Sequence, residues 1–379
     1  MTDDAGADPA LSGRAAKTLV ALAAYGLAGA ATELPVQPLA DVDWSMVARQ
    51  VSRQRLSGLM MAAIHDGALP VTAEQRAQAA AFDSLVVVRC LHLEGQLLRV
   101  EGILSRADVP VRVLKGSAVA HLDYPDPRLR PFIDVDLLVR SADFDTAVTT
   151  LRAAGLSRVY PEPRPGFDRR FGKGGNFRGP DGASVDLHRT FVMGPYGLRV
   201  RLDDLWKAPD PFVAGGRELQ AMSIEARLLH ACYHAVLGDW PRRLLPHRDI
   251  AQILLTGQAE KSRLLELSRR WQGEALLAMG VTGAWDLMRI TVDHPVARWA
   301  RQHHIAAAER RLVELYSNDR HSYAAKSLAA VKSIPGMRDK AAFLRALTLP
   351  ERRYVLDRHS SAGTRLLTGL RQIRTQSRS

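Results

Sequence analysis

The amino-acid sequence predicts an α+β protein, in which a mixed β-sheet core lies between an N-terminal and a C-terminal helical region. Three observations predict this class. Residues 111–189 contain short runs in which apolar and polar residues alternate, as in half-buried strands. The stretches on either side repeat near every 3.6 residues, as in amphipathic helices. The sequence GPDG at 179–182 indicates a turn between two strands.

The pattern divides the chain into five regions. A short acidic stretch rich in small residues predicts a disordered arm at 1–13, and a helical region follows at 14–108. The sheet-bearing core is expected at 109–215. A C-terminal helical domain is expected at 216–350, and a basic tail at 351–379.

The N-terminal region is expected to consist of packing helices without chemistry of their own. Residues 43–64 have helical periodicity, and Thr72 with Gln75 forms the pattern of a capping box that opens a long helix to about Ser105. Five apolar residues of this helix are expected to form part of a buried stripe: Leu85, Val88, Leu91, Leu98 and Val100.

The core contains a pair of acids inside an apolar strand, at residues 132–139. Side chains two positions apart lie on the same face of a strand, so Asp134 and Asp136 are expected side by side, with Ile133, Val135 and Leu137 facing the core. Adjacent carboxylates repel each other unless a cation neutralises them. A hard divalent ion such as Mg²⁺ is the usual partner.

A plainer interpretation stays open for this pair. Asp-x-Asp is common by chance, and Asp143 with Asp145 repeats it at the start of a predicted helix, Phe144–Ala154, where acids suit the N-terminus. Taken alone, Asp134 and Asp136 fit a metal site and a chance occurrence equally well. A third acid, Asp186, lies on a later alternating strand with His188 on the same face.

Two glycine-containing segments invite a phosphate-binding interpretation. Gly116 and Ser117 follow a strand and precede a helix, where free backbone N–H groups favour an anion, and Ser117 is expected to be the N-cap. Plain capping explains them equally well. The segment 172–175 matches no phosphate-loop pattern and is expected to be the edge of the hairpin.

Composition bounds the kind of protein. The chain has 379 residues, 46% of them hydrophobic, a formal net charge of +12 and a pI near 10.1, which favours anionic partners. Two cysteines, Cys90 and Cys232, exclude a disulfide framework and favour a cytoplasmic location. The apolar run 18–31 is too short to span a bilayer, so no transmembrane segment is expected. The basic tail is either a solvated end or a contact for an anionic partner.

Together the motifs resemble those of the nucleotidyltransferase superfamily with the polymerase-β-like fold. More narrowly, they resemble a bacterial family of uncharacterised nucleotidyltransferases over about residues 35 to 255. The elements that carry the resemblance are Leu114-Lys115-Gly116, the stretch YPDPRLR at 124–130, DVDLLV at 134–139 and VDLH at 185–188.

The resemblance implies a metal-dependent nucleotidyltransferase whose catalytic core is 109–215. Asp134, Asp136 and Asp186 would be the catalytic residues and the ligands of Mg²⁺ or Mn²⁺. The enzyme would transfer a nucleoside monophosphate from an NTP, with ATP favoured, to a hydroxyl of an unidentified acceptor and release pyrophosphate. The nucleotide-binding residues would be Lys115, Gly116, Ser117, Arg128, Arg130 and His188.

Several alternatives stay open within this resemblance. Arg128 and Arg130 would contact either the triphosphate or Asp134 and Asp136 themselves. His188 would contact a substrate or serve packing. The whole chain would be either an enzyme, a non-catalytic nucleotide-binding or antitoxin-like module on the same fold, or a tailoring transferase with another nucleotide-activated donor.

Overall fold

A computed structural model describes residues 13–238, 243–317, 326, 329–352 and 354. The predicted arm at 1–13 and basic tail at 351–379 lie almost entirely outside the described residues. Within them the protein has the predicted α+β class: one mixed sheet is packed against helices on both of its faces.

Four helices precede the sheet. Thr72 caps the last of them as predicted, because its hydroxyl accepts from Gln75 N–H while the Gln75 side chain accepts from Thr72 N–H. The periodic stretch 43–64 forms two helices rather than one, since Arg55 adopts a left-handed conformation with φ of 58°. The four helices are α1 (Gly13–Ala24), α2 (Asp41–Gln54), α3 (Ser57–His65) and α4 (Ala73–Ser105).

The sheet has seven strands in the order β3-β4-β5-β2-β1-β7-β6. The pairs β2/β5 and β1/β7 are parallel, and the other neighbours are antiparallel. The strands are β1 (Val111–Val113), β2 (Val135–Val139), β3 (Ser157–Arg158), β4 (Gly174–Arg178), β5 (Ser184–His188), β6 (Asp210–Ala214) and β7 (Arg217–Ala221).

The strand-rich segment also contains short helices. Four of them are α-helices: α5 (Lys115–Asp123), α6 (Phe144–Ala153), α7 (Phe167–Arg170) and α8 (Gly194–Arg199). Single 3₁₀ segments occupy Pro127–Leu129 and Leu202–Trp206.

The predicted hairpin joins β4 and β5. The two strands are antiparallel, and Asn176 lies opposite Asp186. Gly182 in the connection has a positive φ of 84°, a conformation that glycine adopts without steric cost. The sheet does not end at the predicted boundary of 215. It continues through the β6–β7 hairpin to Ala221, because β7 pairs with the central strand β1.

The two faces of the sheet are buried in different ways. On one face, Val135, Leu137 and Val185 pack against α4 and α6 in a purely apolar core. On the other face, Leu138 packs against the remaining helices. The prediction for Ile133 is wrong, because this residue precedes β2 and is partly exposed.

The N-terminal and C-terminal helices form one body rather than two. Leu22 and Trp44 from the start of the chain belong to the same core as Leu229 and Trp271. The buried guanidinium of Arg248 donates to the carbonyls at the end of α1. The C-terminal helices are α9 (Ile224–Leu237), α10 (Leu244–Thr256), α11 (Lys261–Arg270), α12 (Glu274–Leu287), α13 (Pro295–Gln302), α14 (Ala307–Ser317) and α15 (Met337–Thr348).

Helix α15 docks separately on the edge of the sheet. Phe343 packs against Phe167 and Phe171 in a small aromatic cluster. The segment that follows α15 returns along the core, where Glu351 N–H donates to the carbonyl of Pro163.

The stripe predicted on α4 is wrong in part. Val100 is buried and Leu98 is partly buried, but Leu85, Val88 and Leu91 are exposed to solvent. The stripe failed because the sheet covers only the C-terminal half of this helix, through Leu93, Leu97, Val100 and Leu104. Among the described residues, no helix combines the length and the apolar character needed to cross a membrane.

Candidate functional site

The acids of the two predicted strands meet in the middle of the sheet. Strands β2 and β5 are parallel neighbours, and their register places Asp136 beside Asp186. Both side chains therefore leave the same face of the sheet. Ligand atoms of Asp136, Asp186 and His188 all lie within 4.8 Å of one another. We call these three residues together with Asp134, which immediately precedes β2, the acid cluster.

Asp136 is the most enclosed of the three acids in the acid cluster. Its Oδ1 atom accepts from Lys115 Nζ at 3.0 Å and from His188 Nε2 at 2.6 Å. Burial would raise the pKa of Asp136, but the Lys115 charge and the His188 hydrogen bond outweigh burial and hold this pKa well below its usual range. Asp136 is therefore a carboxylate with two donors on one oxygen.

Asp134 has the opposite electrostatic balance. Burial and the neighbouring charge of Asp136 raise its pKa to about 6, although the charges of Lys115 and Arg55 act against the rise. Arg55 belongs to the turn between α2 and α3, so the N-terminal region also contributes charge to the site. The cluster contains one carboxylate held ionised and one that gains a proton near neutrality.

His188 is fully enclosed and neutral. Burial and the nearby Lys173 charge lower its pKa to about 4, despite the hydrogen bond to Asp136. Because Asp136 is ionised, the neutral imidazole must donate from Nε2. Its Nδ1 atom is buried and has no hydrogen-bond partner among the residues that the structure describes. His188 therefore orients Asp136, and it also lines a cavity beside the sheet.

Asp186, like Asp134, is less enclosed than Asp136. It accepts a hydrogen bond from the Asn176 amide of the adjacent strand. It is half-buried and lines a cavity beside the sheet. Asn176 was not expected from the sequence, because its role depends on the pairing of β4 with β5.

The Gly116–Ser117 segment lies inside the first turn of α5. The helix begins at Lys115 and its N-cap is Leu114, so the prediction of Ser117 as N-cap is wrong. Gly116 allows a close approach of Phe132, since a Cβ atom there would lie 2.9 Å from Phe132 Cβ. Ser117 is buried, and its hydroxyl has no hydrogen-bond partner within the described part of the chain. Lys115 has a φ of 41°, which is strained for a residue with a Cβ atom.

The two arginines of the 124–130 stretch are committed to other acids. Arg128 is exposed and binds Asp126 with both Nε and a terminal nitrogen. Arg130 is buried and binds Asp249 at 3.2 and 2.8 Å. Of the two alternatives for these arginines, pairing with Asp134 and Asp136 is not what the structure shows, and contact with a triphosphate stays a prediction. The Asp249 carboxylate also accepts from Tyr124 Oη at 2.8 Å, which completes a buried network.

Lys173 is a cation of the site that the sequence analysis missed. It lies in the glycine-containing segment 172–175 that we expected to be only a hairpin edge. Burial and the charge of Lys115 lower its pKa, while Asp136 and Asp186 act in the other direction. The sequence signal that could have identified Lys173 is a lysine between two glycines at the start of the strand that pairs with the strand of Asp186.

Helix α9 covers the cluster from the helical body. His230 is buried and His234 is half-buried, and desolvation together with the charge of Lys115 lowers the pKa of both well below the usual range. The ring of His230 stacks on Phe191 with centroids 4.4 Å apart. These neutral rings close the apolar side of the site.

Two cavities reach the acid cluster. The first, which we call the Lys173 cavity, has a volume of about 330 Å³ and is lined by Lys173, Gly174, Asp186 and His188. Tyr354, beyond α15, lies on its rim. The second, the Arg89 cavity, has a volume of about 400 Å³ and lies between α4 and the other ends of β4 and β5. Its lining includes Arg89, His92, Ile133, Asp134, Arg178 and Asp181.

The model of a family described as uncharacterised nucleotidyltransferase matches residues 40–288. Among solved structures, the chain is similar to the crystal structure of an antigenic nucleotidyltransferase-like protein from Paracoccidioides brasiliensis. That similarity has 18% identity and a TM-score of 0.34, and it covers 53% of this chain and 94% of the other. No curated protein matches the sequence.

Proposed function

This chain belongs to the uncharacterised nucleotidyltransferase family, and on that premise we propose that it transfers a nucleoside monophosphate from an NTP, preferably ATP, to a hydroxyl group and releases pyrophosphate. One observation supports this proposal most strongly: Asp136 and Asp186 stand in register on parallel strands, within ligand distance of each other. Buried like charges at this spacing are costly unless a cation is shared between them.

The residues present fit Mg²⁺ or Mn²⁺. Such ions prefer carboxylate oxygens. Among the side chains that the structure describes, none donates a hydrogen bond to Oδ2 of Asp136, so this oxygen is available. Asp134, Asp136 and Asp186 would hold the ion, and His188 would keep Asp136 oriented through its Nε2 hydrogen. When bound, the ion neutralises charge on the phosphates and polarises the α-phosphorus.

The cations of the site would bind the phosphates. Lys173 lines the Lys173 cavity beside Asp186, and Lys115 lies across the acid cluster. The first turn of α5 adds the buried hydroxyl of Ser117 and the close backbone at Gly116, since N–H groups at a helix start lack helical partners. Arg128 and Arg130 are left out of this set because Asp126 and Asp249 occupy them.

The proposed chemical step is an in-line displacement at the α-phosphorus. The hydroxyl oxygen of the acceptor forms the new phosphorus–oxygen bond, and the bond to the bridging oxygen of the β-phosphate breaks. Pyrophosphate leaves with that electron pair, and a carboxylate of the acid cluster takes the hydroxyl proton. Lys115 and Lys173 stabilise the negative charge that accumulates on the leaving phosphates.

We also propose a cytoplasmic location. Both cysteines are free, Cys232 is buried and Cys90 is partly buried, as expected in a reducing compartment.

A nucleotide-transfer assay tests the proposal. Purified protein is incubated with Mn²⁺, each NTP in turn and a panel of hydroxyl compounds, and pyrophosphate is measured. We expect release by the wild-type protein and none by Asp134→Ala with Asp136→Ala. Asp143→Ala with Asp145→Ala, which changes the equivalent pair at the start of α6, is the matched control and should retain activity. Pyrophosphate release by the variant with Asp134→Ala and Asp136→Ala would contradict the mechanism. Nucleotide binding without turnover on any acceptor would favour the binding-module alternative.

A further inference from the structure

Helix α4 presents an apolar face to solvent beside the acid cluster. Leu85, Val88 and Leu91 are 71%, 64% and 62% exposed. Large aliphatic side chains exposed together on one helix face mark interaction surfaces more often than single exposed residues do. We call these three side chains the α4 apolar face.

The α4 apolar face runs directly into the Arg89 cavity. Positions three, four and seven residues apart lie on one side of a helix, so Leu85 and Val88 share a side with Arg89 and His92. Arg89 and His92 line the Arg89 cavity, and so does Asp134 of the acid cluster. A continuous path therefore leads from the apolar face to the reacting groups.

The charges along this path favour an anionic partner. Arg89 and Arg178 line the cavity, and both of its acids have other partners: Asp181 accepts from His92 at 3.0 Å and from the Gln96 amide, and Asp134 would hold the proposed ion. The whole chain has a net charge of +12. A second copy of this basic chain is disfavoured on the same surface, because like charges repel during association.

The two cavities meet different members of the acid cluster and share no lining residue. The Lys173 cavity reaches Asp186 and His188, and the Arg89 cavity reaches Asp134. In-line displacement requires the nucleophile and the leaving group on opposite sides of the phosphorus. With Lys173 binding the phosphates, the Arg89 cavity offers the acceptor a separate approach, through Asp134.

We infer that the α4 apolar face and the Arg89 cavity form the acceptor site, and that the acceptor is an acidic polypeptide that presents a Ser, Thr or Tyr hydroxyl next to Asp134. This inference rests on the proposed function and narrows its acceptor class. A small polar acceptor would leave the apolar face in water. The face extends about 9 Å from Leu85 to Leu91 at the helical rise, a length that about three residues of an extended peptide cover.

The transfer leaves a phosphodiester on the polypeptide. The side-chain oxygen bonds to the α-phosphorus of the NTP, its proton passes to a cluster carboxylate, and pyrophosphate departs with the electrons of the broken bond. The atoms of the donor and the acceptor account for all products, so no further reactant is required.

Transfer to a named protein acceptor tests this inference. Full-length protein is incubated with Mn²⁺ and ATP labelled at the α-phosphate. The acceptors are dephosphorylated casein, acidic peptides with one Ser, Thr or Tyr, and glycerol as a small hydroxyl compound. The test variant is Leu85→Ser with Val88→Ser and Leu91→Ser. The control is Val36→Ser with Val213→Ser, which changes exposed valines elsewhere.

We expect the wild-type protein to label casein and peptides. The triple variant should raise the KM for casein about tenfold, because the lost aliphatic contacts exceed a kilocalorie in sum. Transfer to glycerol should be unchanged in the triple variant, and the control should behave as wild type. Labelling of glycerol alone, or equal KM values for casein in wild type and triple variant, would overturn the acceptor assignment while the proposed transferase stands.

A binding measurement separates failure of this inference from failure of the proposed function. If no acceptor yields pyrophosphate, the proposed function fails. The fluorescence anisotropy of a labelled acidic Ser peptide then tests peptide binding to the α4 apolar face independently of turnover. Weaker binding by the triple variant than by the control supports the docking surface, and equal binding overturns it.

Discussion

Two buried carboxylates of this protein, Asp136 and Asp249, look alike by burial and differ in how their oxygens are used. Asp249 accepts from Arg130 on both oxygens and from Tyr124 as well. Asp136 receives Lys115 and His188 on the same oxygen, and a second acid, Asp186, stands beside it. A buried carboxylate with every oxygen satisfied stabilises a fold. A buried carboxylate that lies next to another acid and has one oxygen without a donor is suited to bind a ligand.

The strongest way to break this comparison is to neutralise Asp136. Asp136→Asn keeps the size of the side chain and removes the charge that the proposed ion needs. We expect pyrophosphate release to fall about a thousandfold, while the protein stays folded. Steady-state pyrophosphate assays and thermal unfolding measure the two effects. Activity within tenfold of wild type would place Asp136 with the structural carboxylates.

The complementary change is Asp249→Asn. It leaves the buried guanidinium of Arg130 without its carboxylate, so the free energy of unfolding should fall by about 3 kcal/mol. Urea unfolding measures this loss, and activity per folded molecule should be retained. Asp126→Asn is the control, since its pair with Arg128 is exposed and should contribute less than about 1 kcal/mol. Equal losses for the two variants would contradict the assignment.

Proton competition sharpens the comparison further. The pKa of Asp134 is raised to about 6, so this carboxyl gains a proton as the pH falls through that value and ceases to be a ligand. The Kd for Mn²⁺ should therefore be level above about pH 7 and rise about tenfold per unit below pH 6. Calorimetric titration with Mn²⁺ at several pH values measures the slope. Asp134→Asn should weaken binding at neutral pH and reduce the slope; an unchanged slope would show that another group titrates.

The smallest expected effect belongs to Lys173. Lys173→Met removes one positive charge from the phosphate side of the acid cluster, so the KM for ATP should rise about tenfold with a smaller change in kcat. Lys17→Met, on the exposed side of α1, is the control and should leave both constants unchanged. A fall in kcat alone, without a change in KM, would remove Lys173 from the proposed set of ground-state phosphate contacts.

Much of the local structure could be predicted from the sequence, because local signals produce it. The capping box at Thr72, the hairpin at 179–182 and the shared face of Asp186 and His188 all follow from short-range rules. The family was also predicted correctly from motifs at 114–139 and 185–188.

The missed features depend on contacts between distant parts of the chain. Periodicity shows that Leu85 and Val88 lie on one face of a helix, but it does not show that the sheet ends before reaching them. The partner of Arg130 is Asp249, more than a hundred positions away, so adjacency to Asp134 in sequence was misleading. Lys173 lies on the predicted hairpin, but its place beside Asp136 depends on the pairing of β5 with β2, a contact between distant parts of the chain.

The core shared by the N-terminal and C-terminal helices affects how the protein folds during its synthesis. Residues near the start, such as Leu22 of α1, share a core with the C-terminal helices and pack against α10, which leaves the ribosome much later. Until the C-terminal helices have been synthesised, the apolar side chains of the first helices stay exposed to water or bind a chaperone. A contact between distant parts of the chain can form only when both parts are present. A nascent chain stopped after Ala221 should therefore bind a hydrophobic dye and be cut readily by protease. Full resistance to protease at that length would mean that the N-terminal helices bury their apolar side chains without the C-terminal helices.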